Sequence, residues 1–154
     1  GKEFSIPLTY SNNNDEIFYV PENIYIIGTM NTADRSLALV DYALRRRFAF
    51  FELNPLYNDK FGLFLSEQGL NQNLIDLIIN KISKINEVIK QDNNLGKGFQ
   101  IGHSYFCPNG IISKFDFDWY KNVIDFEIRP LLEEYWFDDP QRVESEYNQL
   151  IDHG

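Results

Sequence analysis

Between Asn71 and Gln91 the apolar residues Leu74, Ile75, Ile78, Ile82, Ile85 and Ile89 recur at intervals of mostly three and four. Only an α helix keeps such residues on one face, and a stripe this broad needs other elements to cover it. A second helical pattern runs from about Asp118 to Phe137, carrying Trp119, Val123, Ile124, Ile128, Leu131, Leu132 and Tyr135. Pro130 inside it predicts a kink or the start of a new helix, because proline lacks an N–H and crowds the preceding turn. A last amphipathic helix is expected after Pro140. With 44% hydrophobic and 16% aromatic residues, the chain can bury a sizeable core, which excludes a disordered class.

The first third reads differently. Phe4 to Thr9 and Glu16 to Val20 flank the turn-forming cluster Ser11-Asn12-Asn13-Asn14-Asp15, as in a β-hairpin with a longer loop closed by Pro21. Ile24 to Thr29 (IYIIGT) is a nearly continuous apolar run, the pattern of a strand buried on both faces of a parallel sheet. The chain turns polar at Asn31, and Asp34 or Ser36 can cap a helix from Leu37 to about Arg46. Phe48 to Leu53 (FAFFEL) is a second candidate strand, completing a βαβ crossover. The expected class is therefore α/β plus all-α: an α/β piece over residues 1–53 and a helical piece over 54–154, hinged near Asn54-Pro55.

Net charge is −9 and uneven, for Phe115 to Gly154 carries eleven acids against three bases. Nucleic-acid phosphates call for a basic surface, so DNA reading is expected to lie outside this segment. The single cysteine, Cys107, excludes an internal disulfide and has no companion for a metal site. No apolar run approaches the roughly 18 residues of a membrane span, and no signal peptide is visible, so a reducing, cytoplasmic setting is expected.

Two features carry possible chemistry. Asn31 closes the apolar run at its carboxyl edge, where ligands sit in open α/β sheets; its amide could hold a water or a phosphate oxygen, or simply cap a turn. Arg45, Arg46 and Arg47 end the following helix. One arginine would satisfy the helix dipole, whereas three in a row point to a negatively charged partner; a solvated cap is the other reading.

The run VPENIYIIGTMNTADRSLALVDYALRRRF (Val20 to Phe48) resembles the sensor-1 to arginine-finger region of McrB-type AAA+ GTPase subunits of modified-cytosine restriction systems. LGKGFQIGHSYF (Leu95 to Phe106) and PLLEEYWFDDP (Pro130 to Pro140) resemble the same family, in the same order. The resemblance implies the C-terminal portion of a P-loop AAA+ domain, comprising hairpin, sensor-1 strand, helix and last strand, followed by an α-helical lid. It implies that Asn31 is the sensor-1 residue orienting attacking water. Asp34, in the MNTADRS motif, would help set up hydrolysis and receive a McrC-like nuclease partner. Arg47 would be the finger reaching a neighbouring subunit's nucleotide, Arg46 a second trans-acting arginine and Arg45 a supporting residue. A sensor-2 arginine would fall near Phe106 and is missing. His103 and Ser104 are the remaining candidates for nucleotide contact, although a lone histidine in an aromatic passage is more often structural.

Hydrolysis also requires a G-x-x-x-x-G-K-[ST] phosphate cradle and an acid-ended strand for Mg²⁺. The sequence has neither: in Asn94-Leu95-Gly96-Lys97-Gly98 a glycine stands where Ser or Thr is needed. GTP (or ATP) and Mg²⁺ are thus expected in the full-length protein only. That protein is expected to assemble as a ring with the nuclease subunit and to reach DNA through another domain. A MoxR-like ATPase fragment is the alternative within the class, disfavoured by MNTADRS. A non-catalytic helical interaction module, with the arginines as a docking patch, is the alternative outside it.

Overall fold

The computed structural model describes residues 2–7, 17–31, 42–108 and 114–152. The chain divides into two compact units, Gly1–Thr32 and Ala33–Gly154. In the first unit a 3₁₀ turn, Lys2–Phe4, leads into β1 (Ile6–Pro7), which pairs antiparallel with β2 (Ile17–Phe18) in the register Ile6↔Phe18 and Pro7↔Ile17. This is the expected hairpin; its loop lies outside the described residues.

The two further strands do not form. Ile24–Thr29 and Phe48–Leu53 pair with no strand among the described residues. They are also exposed rather than buried: Ile27 is 93% and Leu53 94% accessible. A parallel strand exists only through its neighbours, which supply its ladder and cover its faces. No such neighbours are found among the described residues, so the strand-like apolar pattern is not realised as strand. Of the helix expected from Leu37 to Arg46, α1 (Tyr42–Arg45) is described, and residues 37–41 lie outside the described set.

The helical part of the second unit follows its sequence closely. Helix α2 (Asp59–Glu67) starts where the Asn58 side chain accepts from the backbone N–H groups of Lys60 and Phe61. It stops at Gly69, whose φ of 96° suits glycine, as the Leu70 N–H returns to the Leu65 carbonyl. Helix α3 (Gln72–Gln91) is capped by Asn71 and buries all six residues of the predicted stripe. They pack against Phe61 and Leu65 of α2 and against the helices that follow. Helix α4 (Phe117–Val123), capped by Asp116, runs without a break through a π-helical stretch, Ile124–Ile128, into α5 (Arg129–Tyr135). Pro130 thus lies in the first turn of α5, as expected for a proline that starts a helix, although the helical path is continuous with α4. The widened turn just before it accommodates the ring and the lost N–H. Helix α6 (Pro140–Ile151) begins with the Asp139 cap and proline in its first turn. Buried Tyr120 donates its hydroxyl to the Leu150 carbonyl at 3.0 Å, tying α4 to the end of α6.

Candidate functional site

The arginine triplet sits on a tight C-terminal turn. The N–H groups of Arg47 and Phe48 both converge on the Leu44 carbonyl, at 2.9 and 3.1 Å, and Arg47 Nη1 reaches the Ala43 carbonyl at 3.4 Å. The Arg45 guanidinium lies 5.7 Å from the Phe50 ring centroid, folding the chain after the triplet back over it. Arg46 and Arg47 are exposed, so the turn presents cationic forks to solvent. Asn31 is the last described residue of the first unit and is also exposed; Asp34 lies outside the described residues.

The glycine-rich passage is held from below by a residue that pattern reading passed over. Asn86 of α3 is buried, with its Oδ1 accepting from the Ile101 N–H at 2.6 Å and its Nδ2 donating to the Ile101 carbonyl at 3.0 Å. The amide side chain thereby replaces a strand partner for one residue, satisfying both backbone groups of a residue only 1% exposed. Its position four residues after Ile82 and three before Ile89 is the signal that could have found it, because this places it on the buried face. Gly96, at φ 82°, starts the passage, and its N–H donates to the Ile89 carbonyl at 3.2 Å.

His103 and Ser104 open a short 3₁₀ turn, His103–Phe106. His103 Nδ1 accepts from the Leu56 N–H at 3.4 Å, which puts the ring proton of the neutral form on Nε2. Its ring stands edge-on to Tyr57 and Phe61. Tyr57 donates its hydroxyl to the Gly102 carbonyl at 2.9 Å, and burial, aided by the Cys107, Tyr105 and Tyr120 groups, raises its pKa, keeping it a donor. Lys97 pairs with Glu52 at 3.0 Å. Ser104 is exposed.

A second polar node lies at the end of α3. Asp92 Oδ2 accepts from Trp136 Nε1 at 3.1 Å and from Arg142 Nη1 at 2.7 Å, while Oδ1 receives the N–H groups of Asn94 and Leu95. The Arg142 guanidinium also stacks 4.3 Å above the Trp136 ring. Burial opposes the Asp92 charge, but the Trp136, backbone and Arg142 contacts outweigh it and hold the pKa below the usual carboxylate range. This node walls a cleft of about 490 Å³ rimmed by Glu134, Phe137, Asp138 and Asp139.

Among the described residues no group of three or more His, Cys, Asp or Glu could hold a metal ion, and no helix is long and apolar enough to cross a membrane. The described residues therefore offer no donor set for Mg²⁺.

Residues 77–144, from within α3 to within α6, match the family model for the McrB α-helical lid domain. Helices α3 to α6 thus carry a lid domain of that type. Over 98% of its length the chain is 47% identical to the type IV methyl-directed restriction enzyme EcoKMcrB subunit of Escherichia coli (strain K12), and it is a McrB-type sequence. It spans about a third of that relative, 34% of its length.

Proposed function

We propose that this chain is the sensor-1, arginine-finger and lid portion of an AAA+ motor subunit hydrolysing GTP in a modification-dependent DNA restriction system. Residues 1–53 are the end of its α/β core and residues 54–154 its lid. The observation that carries this reading is the pair of strand-patterned apolar runs, Ile24–Thr29 and Phe48–Leu53, left exposed on either side of the arginine triplet. An exposed apolar run marks a surface against which something else packs. The occupant in this reading is the rest of a parallel sheet, supplied by a longer subunit that also carries the phosphate cradle and the Mg²⁺ ligands.

In that setting Asn31 orients the attacking water, Asp34 couples hydrolysis to a McrC-like nuclease subunit, and Arg47, seconded by Arg46, enters the neighbouring subunit's nucleotide site in a ring. Phosphoryl transfer spreads charge over the γ-phosphate oxygens, so a planar arginine fork delivered in trans is worth roughly 10³ to 10⁵ in rate. DNA is contacted through a separate domain.

The test is turnover by the chain on its own. Purified as residues 1–154, it should hydrolyse neither GTP nor ATP above the buffer rate. Turnover that disappears in Asn31→Ala would contradict the assignment. In the longer subunit, Asn31→Ala should lower turnover by about 10²-fold, as loss of one positioned polar group does, with little change in nucleotide affinity.

A further inference from the structure

We propose that the loop from Gly96 to Phe106 is a clasp coupling the lid's long helix to the segment that carries the arginines, with His103 a positioning residue. The coupling is a continuous chain of contacts within the second unit. Its lower end is rigid: Asn86, fixed in α3, holds both backbone groups of Ile101. Directly above, three consecutive links fasten the loop to the strand-patterned chain leaving the triplet. Gly102 takes the Tyr57 hydroxyl, His103 takes the Leu56 N–H, and Lys97 takes the Glu52 carboxylate. Upstream, Phe50 lies against Arg45, whose neighbours Arg46 and Arg47 stand on the same turn.

Each link alone is modest. A neutral hydrogen bond and an exposed ion pair change a local equilibrium only a few-fold. Placed along the short stretches Glu52–Tyr57 and Lys97–His103, they restrain the loop jointly, since losing one link loosens the hold of the others. Gly96, at φ 82°, permits the turn, and the Lys97 ammonium, the Gly102 carbonyl and His103 Nδ1 are directed at Glu52–Tyr57. Because the lid's long helix and the arginine-bearing segment are joined through it, tilting of α3 moves the arginines. That consequence for catalysis rests on Arg47 being the trans finger; the clasp itself does not.

The experiment uses the 154-residue chain. Hydrogen exchange at the Leu56 amide, read by NMR, reports the clasp directly. Lys97→Ala touches a different point of the clasp, yet should raise Leu56 exchange roughly 2- to 5-fold, as expected for losing one exposed ion pair. Tyr57→Phe should raise it roughly 2- to 10-fold, the worth of one neutral hydrogen bond. Exchange across α3 should stay unchanged in both, which also shows that the variants fold. A second measurement places spin labels at Phe51→Cys and Glu87→Cys in a Cys107→Ser background. The distance distribution should be narrow, and should broaden when Tyr57→Phe, His103→Phe and Lys97→Ala are combined. An unprotected Leu56 amide, a broad distribution with the clasp intact, or insensitivity to all three changes would overturn the proposal. In the longer subunit, His103→Phe keeps the ring but removes the acceptor, and should lower kcat with KM unchanged. His103→Asn, which restores an acceptor, should recover it. A clasp that opens in these variants with kcat unmoved would count against Arg47 as the finger and leave the clasp standing.

Discussion

Asn86→Leu removes one hydrogen-bonding side chain while keeping a branched side chain with the same number of heavy atoms, and its cost can be worked out from two contacts. Ile101 is 1% exposed, and its N–H and carbonyl are both satisfied by Asn86, at 2.6 and 3.0 Å. Leucine offers neither a donor nor an acceptor, so both groups become orphans in an apolar setting. Each unsatisfied buried backbone group costs about 1–3 kcal/mol, or about 2–6 kcal/mol for the pair. The extra apolar surface of leucine returns about 1 kcal/mol of this. Urea unfolding followed by far-ultraviolet circular dichroism should show a lower midpoint with an unchanged slope, the signature of a stability change without a change in exposed area. Asn86→Asp sharpens the test. At neutral pH its second carboxylate oxygen faces the Ile101 carbonyl and repels it. Once protonated, the carboxyl can donate where Nδ2 did, so its deficit relative to the unaltered chain should shrink as pH falls toward 4. A loss below about 1 kcal/mol for Asn86→Leu, with the fold intact, would refute the claim that this residue anchors the loop.

Gly69 closes α2 at φ 96° with open space around its missing side chain, so Gly69→Ala should cost about 1 kcal/mol or more, purely from the backbone, measured as a fall in Tm. Asp92 has a depressed pKa in the folded chain, so its contribution is fully present above the ordinary carboxylate value of about 4 and is lost as pH falls through the lower folded value. Asp92→Asn should therefore lower Tm at pH 7 and flatten the acid limb of the Tm–pH curve; an unchanged limb would mean the node does not couple to folding.

The helical half of the chain was legible because its information is local. The stripe of α3 places Leu74 to Ile89 on one face whatever surrounds them, and Asn71 and Pro140 stand where the expected helices begin. Pro130 marked an irregularity, but its form, a π-helical stretch, depends on how the buried Ile124 and Ile128 pack and could not be read from the proline alone. Tyr120 and Trp136 lay outside the predicted stripe of the second helical pattern, although Trp119 and Tyr135 were in it; the fold buries both and satisfies their polar atoms at the Leu150 carbonyl and at Asp92. Asn86 escaped because an amide is not counted among apolar residues. The runs Ile24–Thr29 and Phe48–Leu53 have the composition of buried strands, yet pairing is a property of neighbours, and composition cannot supply a neighbour. At the candidate site, residue types were legible: an asparagine at the end of an apolar run and three arginines on a helix end. Their proposed roles come from family resemblance, because a trans-acting residue acts on atoms of another subunit.

The central claim, that Arg47 acts across a subunit boundary, is tested by mixing two inactive forms of the longer subunit. One carries Arg47→Ala and the other lacks its phosphate-loop lysine. In a mixed ring, some sites combine an intact phosphate loop from the first with an intact Arg47 from the second. GTP turnover should reappear on mixing, in proportion to how often the two alternate, while Arg47→Ala mixed with itself stays inactive. Co-assembly without any recovery would show that Arg47 works within its own subunit or serves only the fold.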